Sequence, residues 1–248
     1  MRKIAIKPNY GVDAPVVIRY LSILSVVMLI LSIVSFWLFQ GTWRWLGLTL
    51  SVIFGITFLI GLLEGIYMYW SSKVGKLRER ERLLDLITFQ GNEKVLDIGC
   101  GRGLVMNATA RRLITGRVFG MDIWNSYDQS GNHPDVTRKN AKIEGVAEKI
   151  EIVTGDARRM PFDKETFDVV VSSLAIHNIY DREERCQTLG EVLRVLKPGG
   201  QFAILDFQHV KEYLQIFKEF EATDVKLVGP HYLMFPPVKI VIGRKPVQ

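Results

Sequence analysis

Two long apolar segments dominate the hydropathy pattern of the first 72 residues. Tyr20 to Trp43 is a run of 24 residues without a charge, and Trp45 to Leu63 adds 19 more. A helix needs about 20 apolar residues to cross the hydrocarbon core of a bilayer, so each run is long enough. We predict a membrane hairpin over residues 1–72, with transmembrane helices at about 16–40 and 45–70.

Charged and aromatic residues beside the two segments predict their orientation. Basic residues lie before the first segment and after the second, whereas the link between them carries only Arg44. Because cytoplasmic loops are enriched in lysine and arginine, we expect both termini and the remaining chain to be cytoplasmic. Aromatic residues typical of interfacial belts lie near both ends of the spans: Trp37, Trp43, Trp45, Tyr67, Tyr69 and Trp70.

Residues 73–90 predict an amphipathic connector helix. Leu77, Leu83, Leu84 and Ile87 fall on one face, and arginine and glutamate fill the opposite face. We expect this helix to contact both the membrane surface and the following domain. The basic residues from Lys73 to Arg82 are explained by attraction to anionic lipid headgroups.

From residue 91 to 248 the periodicity alternates between short apolar runs and amphipathic segments. This alternation predicts an α/β domain with a doubly wound, mostly parallel sheet. The predicted strands are near 94–98, 117–121, 150–154, 168–173, 202–207, 224–228 and 238–243, and the predicted helices are near 103–114, 135–145, 183–197 and 209–219.

A glycine-rich turn follows the first of these strands, in Val95-Leu-Asp-Ile-Gly-Cys-Gly-Arg-Gly103. Glycines at every second position let the backbone pass close to a ligand, and a strand-to-helix turn of this kind suits a nucleotide-like cofactor. A dinucleotide fingerprint needs glycine or alanine where this chain has Leu104, which disfavours a nicotinamide oxidoreductase. Asp97, at the strand end, points into the same crevice.

The turn resembles motif I of the class I S-adenosylmethionine-dependent methyltransferases, and matching segments follow in the expected order. Val118-Phe-Gly-Met-Asp122 ends in an acid placed to accept ribose hydroxyls. Ile150 to Ala157, Phe167 to Ser173, and Glu191 to Gly200 match later motifs. The resemblance covers roughly residues 90–245 and implies a Rossmann-like sheet of seven strands, the last antiparallel.

The resemblance implies S-adenosyl-L-methionine as the cofactor and assigns its binding residues. Asp156 would bind the adenine amino group, and the next backbone N–H would contact the ring. The full set of predicted cofactor-binding residues is Asp97, Gly99, Cys100, Gly101, Gly103, Asp122, Ile123, Trp124, Gly155, Asp156, Ala157 and Ser173.

The connection at residues 123–134 is longer than in most relatives of that family. Trp124 is placed to stack on adenine, and residues 127–133 to form a flap over the ribose or the acceptor. The alternative is a surface loop without a role. Its aromatic and polar content, beside the cofactor end of the sheet, favours function.

His177 is the predicted catalytic residue, because ligands of open α/β sheets bind at the carboxyl ends of the strands. It follows the fourth predicted strand, in Ser172-Ser-Leu-Ala-Ile-His-Asn178, and histidine titrates near neutral pH. The alternative is a histidine that only caps or packs. Methyl transfer from a sulfonium needs mainly alignment, so no triad or metal is required. The four histidines and two cysteines show no metal-ligand spacing, and we predict no metal.

Net charge is +6, divided equally between residues 1–72 and the remainder, and no basic face interleaved with aromatic residues indicates nucleic acid. We therefore predict a membrane-anchored methyltransferase acting at the cytoplasmic face on a small, lipophilic acceptor. Two alternatives stay open: an enzyme for a soluble small molecule or thiol with the hairpin as anchor only, or a non-catalytic cofactor-binding scaffold. The acceptor and the oligomeric state are not determined by the sequence.

Overall fold

The computed structural model describes residues 7–125 and 131–247, which divide into two compact units. Residues 12–73 form a helical hairpin, and residues 7–11 with 74–247 form the second unit, here called the body. The helices are α1 (Pro15–Leu38), α2 (Arg44–Trp70), α3 (Lys76–Asp85), α4 (Leu104–Arg112), α5 (Pro134–Ile143), α6 (Arg182–Val195) and α7 (Val210–Glu219). The strands are β1 (Lys94–Ile98), β2 (Arg117–Asp122), β3 (Ile150–Thr154), β4 (Phe167–Ser173), β5 (Leu196–Asp206), β6 (Thr223–His231) and β7 (Val238–Arg244).

The body is built on one seven-stranded sheet with the order β3-β2-β1-β4-β5-β7-β6. Strands β1 to β5 run parallel to one another, whereas β7 runs antiparallel to both β5 and β6. The sheet is therefore mixed, and the expected seven strands with an antiparallel last strand are confirmed. Chain order reverses between β1 and β4, and a doubly wound sheet binds ligands at such a point.

Alternating residues of the central strands supply two separate cores. Val95 of β1 faces a core that contains side chains of α3, α4 and α5. Leu96, its neighbour, faces the opposite core, formed with α6 and α7. Because successive strand residues point to opposite faces, a sheet covered on both sides needs apolar residues at every position. This accounts for the unbroken apolar runs in the sequence.

The hairpin packs through small residues. Ser25, Ser32 and Ser35 of α1 face Gly47 and Gly61 or their neighbours on α2. A Cβ atom added at Gly61 would lie 2.5 Å from the Ser25 Oγ, and one at Gly47 would lie 2.6 Å from the Phe39 Cβ. The two helices thus approach closely because glycine and serine occupy the contact. The large apolar side chains point outward instead.

By length and composition, two helices in the described part of the chain are able to cross a membrane, Pro15–Leu38 and the helical stretch Gly41–Asp85. Only 11% and 6% of their most apolar windows are buried inside the protein. A core helix of a soluble domain would instead be mostly covered. The expected spans at about 16–40 and 45–70 correspond to α1 and α2.

Three basic residues of the connector have partners within the body. Lys76 is 4% exposed and donates from Nζ to the carbonyl oxygens of Tyr10 and Gly11, at 2.9 and 3.1 Å. Arg80 pairs with Glu81 at 2.6 Å, and Arg82 pairs with Glu79. Attraction of the basic cluster from Lys73 to Arg82 to lipid headgroups stays a prediction.

Residues 7–11 were expected in the hairpin, but they pack against the body. The Asn9 N–H donates to Asn140 Oδ1 at 3.0 Å, and Asn140 Nδ2 returns a bond of 3.0 Å to the Asn9 carbonyl. Tyr10 is 7% exposed, and its hydroxyl donates to Glu144 at 2.5 Å. The sequence offered no signal for this docking, since polar residues before an apolar helix are typical of an interfacial flank.

One predicted boundary inside the body was wrong. The helix expected to reach residue 197 ends at Val195, and the strand expected at 202 begins at Leu196. Leu196 pairs with Phe167 before the register shifts, and regular pairing resumes where Val169 meets Gln201. The intervening Lys-Pro-Gly-Gly signals a turn in the sequence, and the structure accommodates it as an irregularity within β5.

Candidate active site

The glycine turn between β1 and α4 is held tightly against β2. The N–H groups of Gly99 and Cys100 both donate to the Met121 carbonyl, at 2.8 and 3.1 Å. Gly99 has φ +69°, and a Cβ atom there would lie 2.2 Å from the Cβ of Ala175. Glycine is therefore required at this position by both conformation and space. Gly101 and Gly103 also have positive φ, at +49° and +82°.

Polar side chains of α5 support the turn from the other side. Thr137 Oγ1 donates to the Gly101 carbonyl at 2.6 Å, and Asn140 Nδ2 donates to the Arg102 carbonyl at 3.0 Å. Both residues are buried and lie three positions apart, on one face of the helix. Sequence reasoning missed them, although polar residues on the buried face of an amphipathic helix were the available signal.

Asp97 is a buried carboxylate at the carboxyl end of β1. It is 1% exposed, and its Oδ2 has no hydrogen-bond partner among the described residues. Burial raises the pKa of this carboxyl well above its ordinary value, and the nearby Asp122 raises it further. A buried carboxylate of this kind is costly unless a cation or a donor meets it. The site therefore favours a positively charged ligand group.

Asp122 lies beside it at the end of β2 and organises the surrounding backbone. Its Oδ2 accepts from the Gly101 N–H at 2.9 Å, and its Oδ1 accepts from the Trp124 N–H at 2.7 Å. Asn132 Nδ2 donates to the same Oδ1 at 3.1 Å. A carboxylate has about four acceptor positions, so three are occupied within the protein. Asn132 is a site residue that the sequence did not single out.

Asp156, at the end of the neighbouring β3, is paired with an arginine. Arg158 contacts both carboxylate oxygens, at 2.7 to 3.0 Å, and reaches Glu184 at 2.8 Å with another nitrogen. These hydrogen bonds lower the pKa of Asp156. Gly155 donates its N–H to the Asp122 carbonyl at 3.2 Å. The structure thus brings Asp97, Asp122 and Asp156 to one edge of three adjacent strands.

His177 lies on the same edge, in a short helical turn after β4. Its Nδ1 lies 2.7 Å from Oδ1 of Asp206, and its ring contacts Phe207 with centroids 4.5 Å apart. The His177 side chain is 15% exposed, whereas Asp206 is fully buried. The turn is anchored by Arg185, which donates to the carbonyls of Ile179 and Tyr180 at 2.8 and 2.7 Å.

Comparison with known proteins identifies this arrangement. Residues 96–204 match a family described as a methyltransferase domain. The chain is 30% identical over 160 residues to the ubiquinone/menaquinone biosynthesis C-methyltransferase UbiE of Roseobacter denitrificans, covering 60% of each chain. It is 32% identical over 137 residues to the chloroplastic 2-phytyl-1,4-beta-naphthoquinone methyltransferase of Arabidopsis thaliana, covering 54% of this chain and 50% of that one.

A solved structure has a similar fold. The S-adenosylmethionine-dependent methyltransferase from Aquifex aeolicus superposes with a TM-score of 0.55 at 17% identity, covering 68% of this chain and 91% of that one. The body thus has the fold of S-adenosylmethionine-dependent methyltransferases, and its residues 96–204 match the methyltransferase domain family. The chain spans 49% to 60% of the length of the first three curated relatives. The matched segment begins after the hairpin and the connector.

The residues present fit S-adenosylmethionine. The unpartnered Oδ2 of Asp97 is an acceptor for the cationic amino group of the cofactor, and the turn at Gly99 and Gly101 leaves room for backbone approach. Asp122 keeps one acceptor position for a ribose hydroxyl, and displacement of the Asn132 amide would free another. Asp156 reaches an adenine amino group only with lone pairs that Arg158 leaves free. These four roles stay predictions.

The remaining predicted cofactor residues differ in how closely they are held. Trp124 has φ +61° and donates from Nε1 to Thr154 Oγ1 at 2.9 Å, which fixes the indole beside β3. Ile123 is 60% exposed, whereas Cys100 is buried. Ser173 ends β4 and Ala157 packs at the rim of a core. Burial raises the pKa of the Cys100 thiol well above its ordinary value, so a reactive thiolate is disfavoured there.

The expected flap over the site falls partly outside the described residues. Residues 126–130, which include Tyr127, are not among those the structure describes. His133 has a structural role, because its Nδ1 accepts from the Asp135 N–H at the start of α5. In the described part of the chain, no cluster of three histidine, cysteine or acidic residues is arranged to hold a metal ion.

The acceptor side of the domain is bordered by the turn between β6 and β7. Asp206 at the end of β5 pairs with Lys239 at the start of β7, which places residues 232–237 at the carboxyl edge of the sheet. Tyr232 is 66% exposed. A small open cleft lies at the same edge, lined by Phe207, His209, Val210, Lys211, Glu212 and Lys239. His209 also caps α7, in the left-handed conformation.

Proposed function

We propose that the whole chain is a membrane-anchored methyltransferase that acts at the cytoplasmic face on a small, lipophilic acceptor. The observation that carries the proposal is the position of the apolar turn Tyr232-Leu-Met-Phe-Pro-Pro237. It borders the carboxyl edge that also carries the glycine turn and His177. An oily substrate needs an apolar wall beside the methyl donor, and this turn supplies one.

The connector meets the same turn. A Cβ atom at Gly75, directly before α3, would lie 1.8 Å from the Leu233 carbonyl oxygen. The start of α3 is therefore packed directly on the apolar turn, with only glycine permitting the approach. Residue 73, at the end of the hairpin, is two positions earlier in the chain. The chain segment that would leave the membrane thus leads immediately to the acceptor side.

The hairpin supports membrane anchoring by its packing. Its contact surface consists of serine and glycine, and its outward surface consists of large apolar residues such as Ile23, Ile56 and Leu63, at 54%, 53% and 64% exposure. Small residues at the contact are typical of helices that associate in lipid. Such an outward surface would be unfavourable in water.

The relatives support a lipophilic acceptor by their names alone. One is named for ubiquinone and menaquinone biosynthesis, and another for a naphthoquinone that bears a phytyl chain. For this chain we propose an acceptor of that general shape, a ring with an apolar tail. His177 is proposed to contact its reacting group, because it lies at the edge where the cofactor turn and the apolar turn meet.

The test uses the full chain in lipid vesicles with two acceptors that share a ring and differ in the apolar tail. Tyr232→Ser should raise KM for the tailed acceptor at least fivefold and leave the tail-less acceptor within twofold. Ile114→Ser is the matched control, since Ile114 is 76% exposed and precedes β2, at the amino edge of the sheet. Equal effects of Tyr232→Ser on both acceptors would refute the role of the turn.

Anchoring is tested by exchanging residues 15–70 for an unrelated membrane hairpin. Simple truncation at Val74 is unsuitable, because it also removes Asn9 and Tyr10, which pack on the body. If the hairpin only locates the domain, the exchange should preserve turnover of the tailed acceptor in vesicles. A variant that lacks residues 15–70 should no longer be found in the membrane fraction. A full chain that is active and fully soluble without lipid would contradict the proposal.

A further inference from the structure

A fully buried carboxylate stands directly behind His177. Asp206 ends β5 and is 0% exposed, and its Oδ1 lies 2.7 Å from His177 Nδ1. No sequence pattern indicated a role for this residue. Its position is decided by the parallel pairing of β4 with β5, which brings the chain after β4 alongside the end of β5.

Three donors hold the Asp206 carboxylate in place. The Phe207 N–H donates to Oδ1 at 2.9 Å, and the His177 N–H donates to Oδ2 at 3.1 Å. The Tyr213 hydroxyl also approaches Oδ2, at 3.5 Å. Each carboxylate oxygen therefore accepts a backbone N–H. The contact of Nδ1 with Oδ1 is short without being aligned as a hydrogen bond, and an acceptor at that distance favours the proton of the neutral imidazole on Nδ1 over Nε2.

Two charged groups near this pair are matched to each other. Arg185 of α6 bonds Glu212 of α7 at 2.8 Å, so neither is free to neutralise Asp206. Lys239 of β7 is paired with Asp206 through the backbone of the two strands. His209 lies directly before α7. Among the described basic side chains, His177 is the one within hydrogen-bond distance of the Asp206 carboxylate.

We propose that Asp206 is a positioning residue that keeps Nε2 of His177 free of a proton, so that the site serves acceptors whose O–H or activated C–H must be deprotonated. This inference rests on the proposed contact of His177 with the acceptor. Bound S-adenosylmethionine supplies a methyl group on a sulfonium. As the acceptor atom forms its bond to the methyl carbon, the carbon–sulfur electron pair stays on sulfur and the acceptor proton moves to Nε2.

The arrangement distinguishes between acceptor classes. A phenolic hydroxyl has a pKa near 10 and is almost wholly protonated at neutral pH, so a base in the site increases its reactivity. A thiol has a pKa of about 8.5 and is already a strong nucleophile as the small ionised fraction. An oriented imidazole therefore favours a hydroxylated ring over the soluble thiol that the sequence left open.

The first test measures the tautomer in the unaltered protein. The full chain, labelled with nitrogen-15 histidine in micelles, should show His177 with its proton on Nδ1 and none on Nε2 in the neutral state. His177→Gln assigns the signal among the four histidines. A neutral His177 with its proton on Nε2 would overturn the proposal, whether or not any variant is active.

The second test uses two acceptors of similar size, one a phenol and one a thiol. Asp206→Asn should lower kcat for the phenol by about 100-fold or more, the range of general acid–base catalysis, and lower kcat for the thiol less than about fivefold. S-adenosylmethionine affinity should stay within about threefold by calorimetry. In a His177→Gln background, Asp206→Asn should have no further effect on the phenol, because Asp206 acts through His177.

The matched control is Glu93→Gln. Glu93 is also a buried carboxylate, 7% exposed, and it accepts from the N–H of Gly91 at 2.9 Å, at the amino edge of the sheet. The Glu93→Gln variant should have a lower thermal stability, with no change in the ratio of phenol turnover to thiol turnover. Equal losses on both acceptors in Asp206→Asn would make Asp206 merely structural. If His177→Gln changed neither acceptor, the proposed contact of His177 itself would fail.

Discussion

The hairpin and the body pack in opposite ways. In the body, large apolar side chains such as Phe202 and Phe217 are fully buried against the sheet. In the hairpin, serine and glycine fill the contact and the large apolar side chains face outward. Water drives large apolar groups inward, whereas in lipid this drive is absent and close helix contact stabilises the pair. The same residue types thus indicate different surroundings.

The two units also differ in how they treat buried polar groups. In the hairpin, Ser25 Oγ donates to the Leu21 carbonyl at 2.7 Å, and Ser32 Oγ donates to the Ser51 carbonyl at 2.7 Å. In the body, Asp97 Oδ2 is left without a partner among the described residues. A polar group satisfied locally contributes to structure. An unsatisfied carboxylate at a ligand edge indicates a function.

The largest effect should come from removing a large side chain from the body core. Phe217→Ala should lower the free energy of unfolding of the body by about 3–5 kcal/mol, because a cavity replaces a fully buried ring. Ile56→Ala, at an outward position of the hairpin, should cost less than about 1 kcal/mol, since lipid can fill the space. Denaturant unfolding in micelles measures both. Similar losses at the two positions would remove the distinction between the units.

A charge on the outward face of the hairpin should be nearly as disruptive. Ile56→Arg near the middle of α2 should cost about 2.5–3.5 kcal/mol for membrane insertion. Ile114→Arg, on the exposed surface of the body, should change stability by no more than about 0.5 kcal/mol. The inserted fraction of the full chain in membranes is the measurement. Normal insertion of Ile56→Arg would mean that this face contacts water.

Asp97→Asn should separate stability from binding. Because burial raises the pKa of Asp97, its ionised form opposes folding, and this penalty grows as the pH rises from its ordinary value through the folded-state pKa. The variant without ligand should therefore be more stable than the natural chain at neutral pH, and the difference should vanish in acid below about pH 3.8. Thermal unfolding across this pH range measures the effect.

The same variant should bind S-adenosylmethionine more weakly, by about 1.5–3 kcal/mol for a lost charge-assisted hydrogen bond. Affinity of the natural chain should also fall as the pH is lowered and Asp97 takes up its proton. Glu148→Gln, on the surface of the same domain, provides the control for calorimetry. Unchanged affinity in Asp97→Asn would assign the cofactor amino group to another residue.

The smallest effect concerns the helix contact of the hairpin. Gly47→Ala should lower hairpin stability by about 1–3 kcal/mol, because its Cβ would lie 2.7 Å from the Ser35 carbonyl oxygen. Gly55→Ala should be almost neutral, since the added atom would lie 3.4 Å from Ser32 Oγ. Helix association in micelles compares the two. If Gly47→Ala left the stability of the hairpin unchanged, the two helices would be free to move apart.

Patterns along the chain were sufficient for much of this protein. Two uncharged runs predicted α1 and α2, and unbroken apolar strands predicted a sheet covered on both faces. The glycine turn and the acids at the ends of three strands predicted a cofactor site of the methyltransferase type, and residues 96–204 match a methyltransferase domain family. These features were predictable because each depends on local periodicity or on residues close together in the chain.

Tertiary structure alone decided the contacts between distant segments. Asp206 lies 29 residues after His177 and meets it only because β4 and β5 pair in parallel. Asn140 reaches both Arg102 and Asn9, and residues 7–11 join the body although an apolar helix directly follows them. Polar side chains carry no periodic signal for such partners. Their roles follow from which backbone carbonyls and carboxylates the folded chain brings within hydrogen-bond distance.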